Sequence, residues 1–311
     1  MRRTLLQQQA ANSRASIFLG IVLMAVLGAL GTAIVGFYSP DDWVFGLIGA
    51  VALGLVVALV AWYAGPKIVL SMSHARAATP QEDQVLSNVV DEMAIAAGLR
   101  RPKVYVIDDP SPNAFATGRD PSEGIIVVTT GLLVKLNREE LQGVIAHEMA
   151  HIRNLDIKFM TTIALVAGLI PLIADVFLRS LWRGGRRSKD SGNAIFLIIA
   201  IALAVLAPIC AMLIKLAVSR KREFLADATA AQLTRNPEGL AQALIKITQD
   251  PGELEEANRA TEHMYIVNPF RARRNIASAL WSTHPPVEER VRALRGLHGS
   301  TAERHLASGM E

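Results

Sequence analysis

The sequence predicts a mainly α integral membrane protein with about four transmembrane helices and a cytosolic α+β part that carries a small sheet. Three observations predict it. Hydrophobic residues make up 51% of the 311-residue chain and charged residues 19%, below the roughly 25% usual for soluble domains. The charge deficit is local, because it falls in long apolar runs. Between and after those runs, alternating and helical hydrophobic periods return, which is the pattern of packed, water-facing structure.

The first run, residues 17–37, holds 21 residues without a charge, enough to cross a bilayer as a helix. It is too long for the 7–15-residue apolar core of a cleaved signal peptide. A second run, 44–64, follows a short link containing Asp41 and Asp42. Phe37, Tyr38 and Trp43 flank one end of the pair, and Trp62 and Tyr63 the other, where interfacial aromatics belong. Gly46, Ala50 and Gly54, spaced by four, offer a close helix contact. Arg2, Arg3 and Arg14 precede the first run, and Lys67 and Arg76 follow the second. The positive-inside rule therefore puts the N-terminus and the chain after Ala64 in the cytoplasm.

The next segment reads as water-facing. Thr79 and Pro80 suit an N-cap and first helical position. Val85, Leu86, Val89, Val90 and Met93 recur at helical spacing, and Gly98 supplies a stop. "KVYVID" alternates like a strand, and "GIIVVTT" reads as a more buried one. "NAFATG", at 113–118, lies between them. Asn137 with Glu140 resembles a capping box opening the next helix.

Two more apolar runs follow. Residues 159–181 contain Pro171 and Asp175, and residues 194–218 contain Pro208 and Lys215. The link between them is strongly basic. If both runs span fully, that link faces outside, against the positive-inside rule; the pair either spans or dips in and returns. Beyond Ser219 the chain is polar and helical, with Asn236 and Pro237 opening one helix. The resulting organisation is a cytoplasmic segment (1–16), a transmembrane hairpin (17–64), a first catalytic part (65–158), a second transmembrane hairpin (159–218), a second catalytic part (219–298) and a loose tail (299–311).

The net charge is +4 and the pI about 9.4. The basic residues cluster beside the apolar runs, which favours a lipid bilayer and not nucleic acid as partner. The single cysteine, Cys210, excludes an internal disulfide and a cysteine zinc cluster.

The chemistry-bearing motif is "HEMAH" at 147–151. Two histidines four apart lie on one helix face and can reach one metal. Zinc lowers the pKa of the water it binds to near 7, and a carboxylate at Glu148 can take the proton as that water attacks a peptide carbonyl. The preceding Asn137, Arg138, Glu139, Glu140 and Gln142 start the helix in water, which argues for a site at the membrane surface. A catalytic zinc needs a third protein ligand. A metzincin would have glycine at 154 and histidine at 157; this chain has Asn154 and Ile157. The alternative is a carboxylate from a second helix, and the best candidate is Glu223 in "SRKREFLADA", either a ligand or an interfacial charge paired with Arg220 or Arg222. Asp227, one turn on, can hydrogen-bond a ligand histidine.

HEMAH, two apolar runs and then Glu-x-x-x-Asp resemble the HtpX family of membrane zinc metalloproteases, heat-shock proteases related to the CAAX prenyl proteases. The resemblance also takes in the N-terminal hairpin, "NAFATG" and "THPPVEER" at 283–290. It implies His147, His151 and Glu223 as ligands of one Zn2+ per chain, Glu148 as general base and Asp227 as a supporting residue. It implies a multi-pass protein of the cell inner membrane, its active site facing the cytoplasm, that cleaves damaged or misfolded membrane proteins. Asn113, Ala114, Phe115 and Ala116 are then either a substrate-binding edge strand or a plain turn and strand. His284 either approaches the metal, steadying the transition state or capping the ion, or simply starts a helix. Arg290 is a candidate partner for an acidic residue near the site. Two rival functions stand beside this one: a CAAX-type prenyl protease, and a zinc-stabilised membrane scaffold, which would have no use for Glu148.

Overall fold

The computed structural model describes residues 5–183, 193–254, 264–269 and 285–308. The helices are α1 (Leu5–Tyr38), α2 (Trp43–Met72), α3 (Pro80–Ala97), α4 (Thr130–Lys135), α5 (Arg138–Arg153), α6 (Asp156–Arg183), α7 (Asn193–Thr234), α8 (Pro237–Gln249) and α9 (Val287–Ser308). The strands are β1 (Arg76–Ala77), β2 (Lys103–Ile107), β3 (Ala114–Thr117) and β4 (Ile125–Thr129). The chain divides into two compact units: Met1–Tyr63 with Thr161–Val218, and Ala64–Met160 with Ser219–Glu311.

The first unit is helical and apolar. Ile17–Tyr38, Pro40–Met72 and Ile195–Leu213 are long and apolar enough to cross a membrane, with mean hydropathies of 2.5, 2.8 and 2.9. Only 28%, 22% and 22% of these windows is buried inside the chain, so most of their apolar side chains face outward, as lipid requires and water forbids. The fourth expected run, 159–181, is helical too, inside α6. α1 and α2 touch backbone to backbone: a Cβ on Gly46 would lie 2.3 Å from the Gly31 carbonyl oxygen, and one on Gly31 2.5 Å from the Ala50 Cβ. Small residues at that crossing replace the hydrophobic drive that lipid removes.

The second unit is an α+β domain whose mixed sheet runs in the order β1-β2-β4-β3. β2 and β4 are parallel; β1 and β3 pair antiparallel at the two edges. The strands bury both faces. Val106, Ala114, Ala116, Ile126 and Val128 enter one core with α3, α5 and α8. Ile107, Phe115 and Val127 point the other way, into a smaller core with Val69, Leu254 and Tyr265. That two-sided burial explains the unbroken apolar run of β4. β1, only two residues long, carries too little pattern to be seen in the sequence.

The helix signals are realised atom by atom. Thr79 and Glu82 form a reciprocal capping box, and Gly98 ends α3 at φ +67°, a left-handed conformation that glycine adopts without penalty. Asn137 and Glu140 cap α5 in the same way, and the Asn236 side chain accepts from the Gly239 amide. One expectation fails. Residues 299–308, read as a loose tail, are helical because α9 continues to Ser308; no proline interrupts that stretch.

Candidate metal centre

α5 is positioned by its outer turns and its apolar stripe. Leu141, Val144, Ile145, Met149 and Ile152 recur at helical spacing and fill the main core. Ala114 and Ala116 offer only methyl groups on the β3 face that meets this core, which lets the strand lie close to the helix. Gly143 admits α8: a Cβ there would stand 2.6 Å from the Leu240 amide nitrogen. The helix is consequently buried all round from Gly143 to Ile152, more completely than the polar residues of its first turns suggested.

The histidines meet α7 at Glu223. His147 Nε2 and His151 Nε2 are 3.1 Å apart. Glu223 Oε2 is 3.7 Å from His147 Nε2, and Glu223 Oε1 is 3.4 Å from His151 Nε2. Zinc bonds of 2.0–2.2 Å at tetrahedral angles place neighbouring ligand atoms about 3.3–3.5 Å apart, so the separations are of the size one such ion needs, with one Glu223 oxygen facing each histidine. All three residues are buried.

A polar layer backs each histidine. His147 Nδ1 lies 2.9 Å from Asp227 Oδ1. Arg290 from α9 holds the same carboxylate with two bonds, Nε at 2.8 Å and Nη2 at 2.7 Å. Its Nη1 donates to the Ile266 carbonyl at 2.8 Å and sits 3.2 Å from Glu223 Oε2. On the other side, His151 Nδ1 lies 3.1 Å from Asp156 Oδ2. Asp156 Oδ1 in turn accepts from Arg222 Nη1. Sequence reasoning missed Asp156; the available signal was an acid five residues after the second histidine, at the start of an apolar helix. The alternative reading of Glu223, a charge paired with Arg220 or Arg222, names the right neighbourhood, and Arg222 reaches Asp156.

Charge gives an independent test of fit. With both imidazoles neutral, as metal ligands are, the buried carboxylates of Asp156, Glu223 and Asp227 outnumber the buried guanidiniums of Arg222 and Arg290, with the Glu148 carboxyl beside them. The cluster is left short of positive charge, which a divalent cation would supply. Without that balance, buried charges of one sign are costly.

The ionisations follow. Burial pushes the Glu148 carboxyl up to about 8, with Glu223 adding to the rise and His151 and Arg290 opposing it. Both Glu148 oxygens are buried and, among the described residues, meet no hydrogen-bond partner of ordinary geometry; the Ala116 backbone amide lies close enough to favour the charged form slightly. Burial also disfavours charge on Asp227, but Arg290 and His147 outweigh it and hold that carboxyl below its usual range. Arg290 is likewise kept charged by Asp227 and Glu223 against its burial. Burial lowers His147, the nearby His151 and Arg290 add to this, and Asp227 only partly compensates. At His151 burial loses to Asp156 and Glu223, and the imidazole rises to about 10.

Of the residues singled out from the sequence, His147, Glu148, His151, Glu223 and Asp227 come together, and Arg290 joins them. β3 lies beside α5 at the sheet edge. Asn113 turns its side chain inward, donating to the Val267 carbonyl at 2.9 Å, and the Ala114 carbonyl accepts from the Ile266 amide at 2.8 Å. His284 lies outside the described residues.

A HExxH helix, a glutamate ligand from a later helix and long apolar helices define a membrane zinc metallopeptidase. The chain belongs to peptidase family M48, whose model matches residues 80–298. It is 46% identical over 304 residues to a protease HtpX homologue of Caldanaerobacter subterraneus subsp. tengcongensis, covering 95% of this chain and 99% of that one. It is 40% identical to one from Listeria monocytogenes serotype 4a, covering 94% of this chain and 100% of that one. The fold is similar to the crystal structure of S. mikatae Ste24p, with a TM-score of 0.50 and 20% identity, covering 92% of this chain and 67% of that one. The protein is thus an M48 metalloprotease of the HtpX type, with its zinc site at His147, His151 and Glu223.

Proposed function

We propose that this protease cleaves damaged or misfolded membrane proteins at the cytoplasmic face of the cell membrane, with Glu148 as general base. The carrying observation is the Glu148 carboxyl: buried, beside the metal ligands, and without a side-chain hydrogen-bond partner among the described residues. A scaffold has no reason to bury a poorly satisfied acid there, since such a group costs stability and returns none. When bound, zinc supplies the Lewis acidity that makes water a nucleophile near neutral pH. Glu148 accepts the proton of the attacking water and delivers it to the leaving amine nitrogen. Asp227 and Arg290 hold His147 in the tautomer that turns Nε2 toward the ion.

The register of β3 supports a peptide-binding edge. Asn113 receives the Thr129 amide at its carbonyl, so Phe115 and Thr117 turn their backbone groups toward β4, while Ala114 and Ala116 turn theirs outward. The Ala114 carbonyl is engaged by Ile266 and the Ala116 amide approaches the Glu148 carboxyl, so the outward C=O of Ala116 is the group offered for strand addition by a substrate. The cytoplasmic orientation rests on Arg2, Arg3 and Arg14 before the first span and on the acidic Asp41–Asp42 link after it.

The test is reconstitution. The chain is purified in detergent without zinc, zinc is added, and cleavage of itself and of an unfolded membrane protein is followed. Zinc starts cleavage and a chelator stops it. Cleavage of a prenylated peptide alone, with unmodified membrane proteins left intact, would support the CAAX-type alternative. For topology, a cysteine at Ser188 in a Cys210→Ser background is labelled from one side only; labelling solely from the cytoplasm overturns full spanning by the second hairpin.

A further inference from the structure

We propose that Asp156 and Arg222 form a second positioning relay for the metal, joining the ligand His151 to the helix that carries the ligand Glu223. The inference rests on the ligand set above. His151 turns Nε2 toward His147 and Glu223, so its Nδ1 faces away from the ion and meets Asp156 Oδ2 at 3.1 Å. A neutral imidazole that binds metal through Nε2 carries its proton on Nδ1. Asp156 accepts that proton's hydrogen bond, which fixes the tautomer and the ring plane and makes Nε2 a better donor to the ion.

Asp156 is itself pinned. Its other oxygen accepts from Arg222, and the two side chains are 1% and 3% exposed. Arg222 is the residue before Glu223 on α7, so any rotation of that helix moves the third ligand and the relay together. The path His151–Asp156–Arg222 runs alongside His147–Asp227–Arg290: each ligand histidine rests on a buried carboxylate, and each carboxylate on a buried arginine. Both ligands therefore have their ring orientation set by protein contacts.

The backbone is bent to achieve this. Leu155, between α5 and α6, has φ +63°, a left-handed conformation unfavourable for a leucine. That turn lets α6 begin at Asp156 under the His151 ring instead of continuing α5.

The experiment uses the full-length chain in detergent. Zinc affinity is measured by competition with a chromophoric chelator, and ligand geometry from the visible spectrum of the cobalt-substituted protein. Asp156→Asn is expected to weaken zinc binding about 10- to 100-fold and to alter the cobalt spectrum. Arg222→Met acts in the same direction, and Arg222→Lys restores part of the loss. The double variant Asp156→Asn/Arg222→Met leaves no lone buried charge, so its thermal stability approaches that of the parent while its zinc affinity stays low. It carries the test where a single variant does not fold. His147→Ala, the control, loses the metal. Parental zinc affinity and an unchanged cobalt spectrum in both Asp156→Asn and the double variant, with the metal lost in His147→Ala, would overturn the relay alone. Zinc retained by His147→Ala would overturn the ligand set and the relay with it.

Discussion

Arg290 and Asp227 stand 63 residues apart in the chain, yet their side chains meet through two hydrogen bonds of 2.7 and 2.8 Å. The arginine is fully buried. This contact ties α9 to α7 directly behind the ligand His147.

Removing one partner of such a pair strands the other charge in the interior. Arg290→Met is expected to lower stability by about 3–5 kcal/mol and to weaken zinc binding, because Asp227 is then free to turn away from His147. Denaturation of the detergent-solubilised chain and a chelator competition measure the two effects. A loss of stability below about 1 kcal/mol would show the pair to be energetically idle.

Glu148→Gln preserves shape and removes the proposed base. It is expected to keep one zinc per chain and to lose at least the 10²–10⁴-fold that positioned proton transfer contributes. Metal analysis and a single-turnover cleavage assay are the readouts. Cleavage at the parental rate would eliminate Glu148 as the proton acceptor.

Gly143 marks where α5 and α8 cross. A methyl group there meets the Leu240 backbone, at 2.6 Å from the amide nitrogen and 2.8 Å from Cα, and backbone cannot yield as a flexible side chain does. Gly143→Ala is expected to cost about 1–3 kcal/mol. Gly296→Ala on α9, where a Cβ meets nothing within 4 Å, is expected to be neutral or stabilising by up to about 1 kcal/mol. The two melting temperatures should move in opposite directions or differ clearly in size.

Arg76 predicts a pH effect far from the metal. It donates to Glu82 with two bonds of 2.8 Å and to Asp108 at 2.7 and 2.5 Å. The bonds from Arg76 outweigh burial and, with help from Thr79, hold Glu82 at about 2, against an ordinary 4.5. A carboxyl lowered by folding adds stability above its unfolded value and loses it as pH falls through the folded one. The window is therefore about pH 4.5 down to 2. The stability difference between the parent and Arg76→Met should be constant above about pH 5 and shrink toward pH 2. A difference that stays flat over that range would mean that Glu82 does not sense Arg76.

Much of the site was legible because its parts are local. The i, i+4 histidines, the Asn137–Glu140 cap and the four-residue step from Glu223 to Asp227 all lie within single helices. Helical geometry converts each spacing into a shared face. The apolar spans were legible for the same reason, since length and lack of charge are properties of one segment. Arg290 illustrates the limit: its sequence neighbours name no partner, because the partner is on another helix.

By itself, the sequence determined the membrane helices, the two-histidine motif and the pairing of a later glutamate and aspartate, all set by hydrophobic period and helix spacing. Tertiary structure decided the rest. It chose Asp227 and Asp156 as the separate supports of His147 and His151, gave each an arginine, and buried Glu148 beside them. Those choices belong to the packing of α5, α6, α7 and α9, since a buried charge takes whichever partner the fold brings within reach, however distant that partner is in the chain.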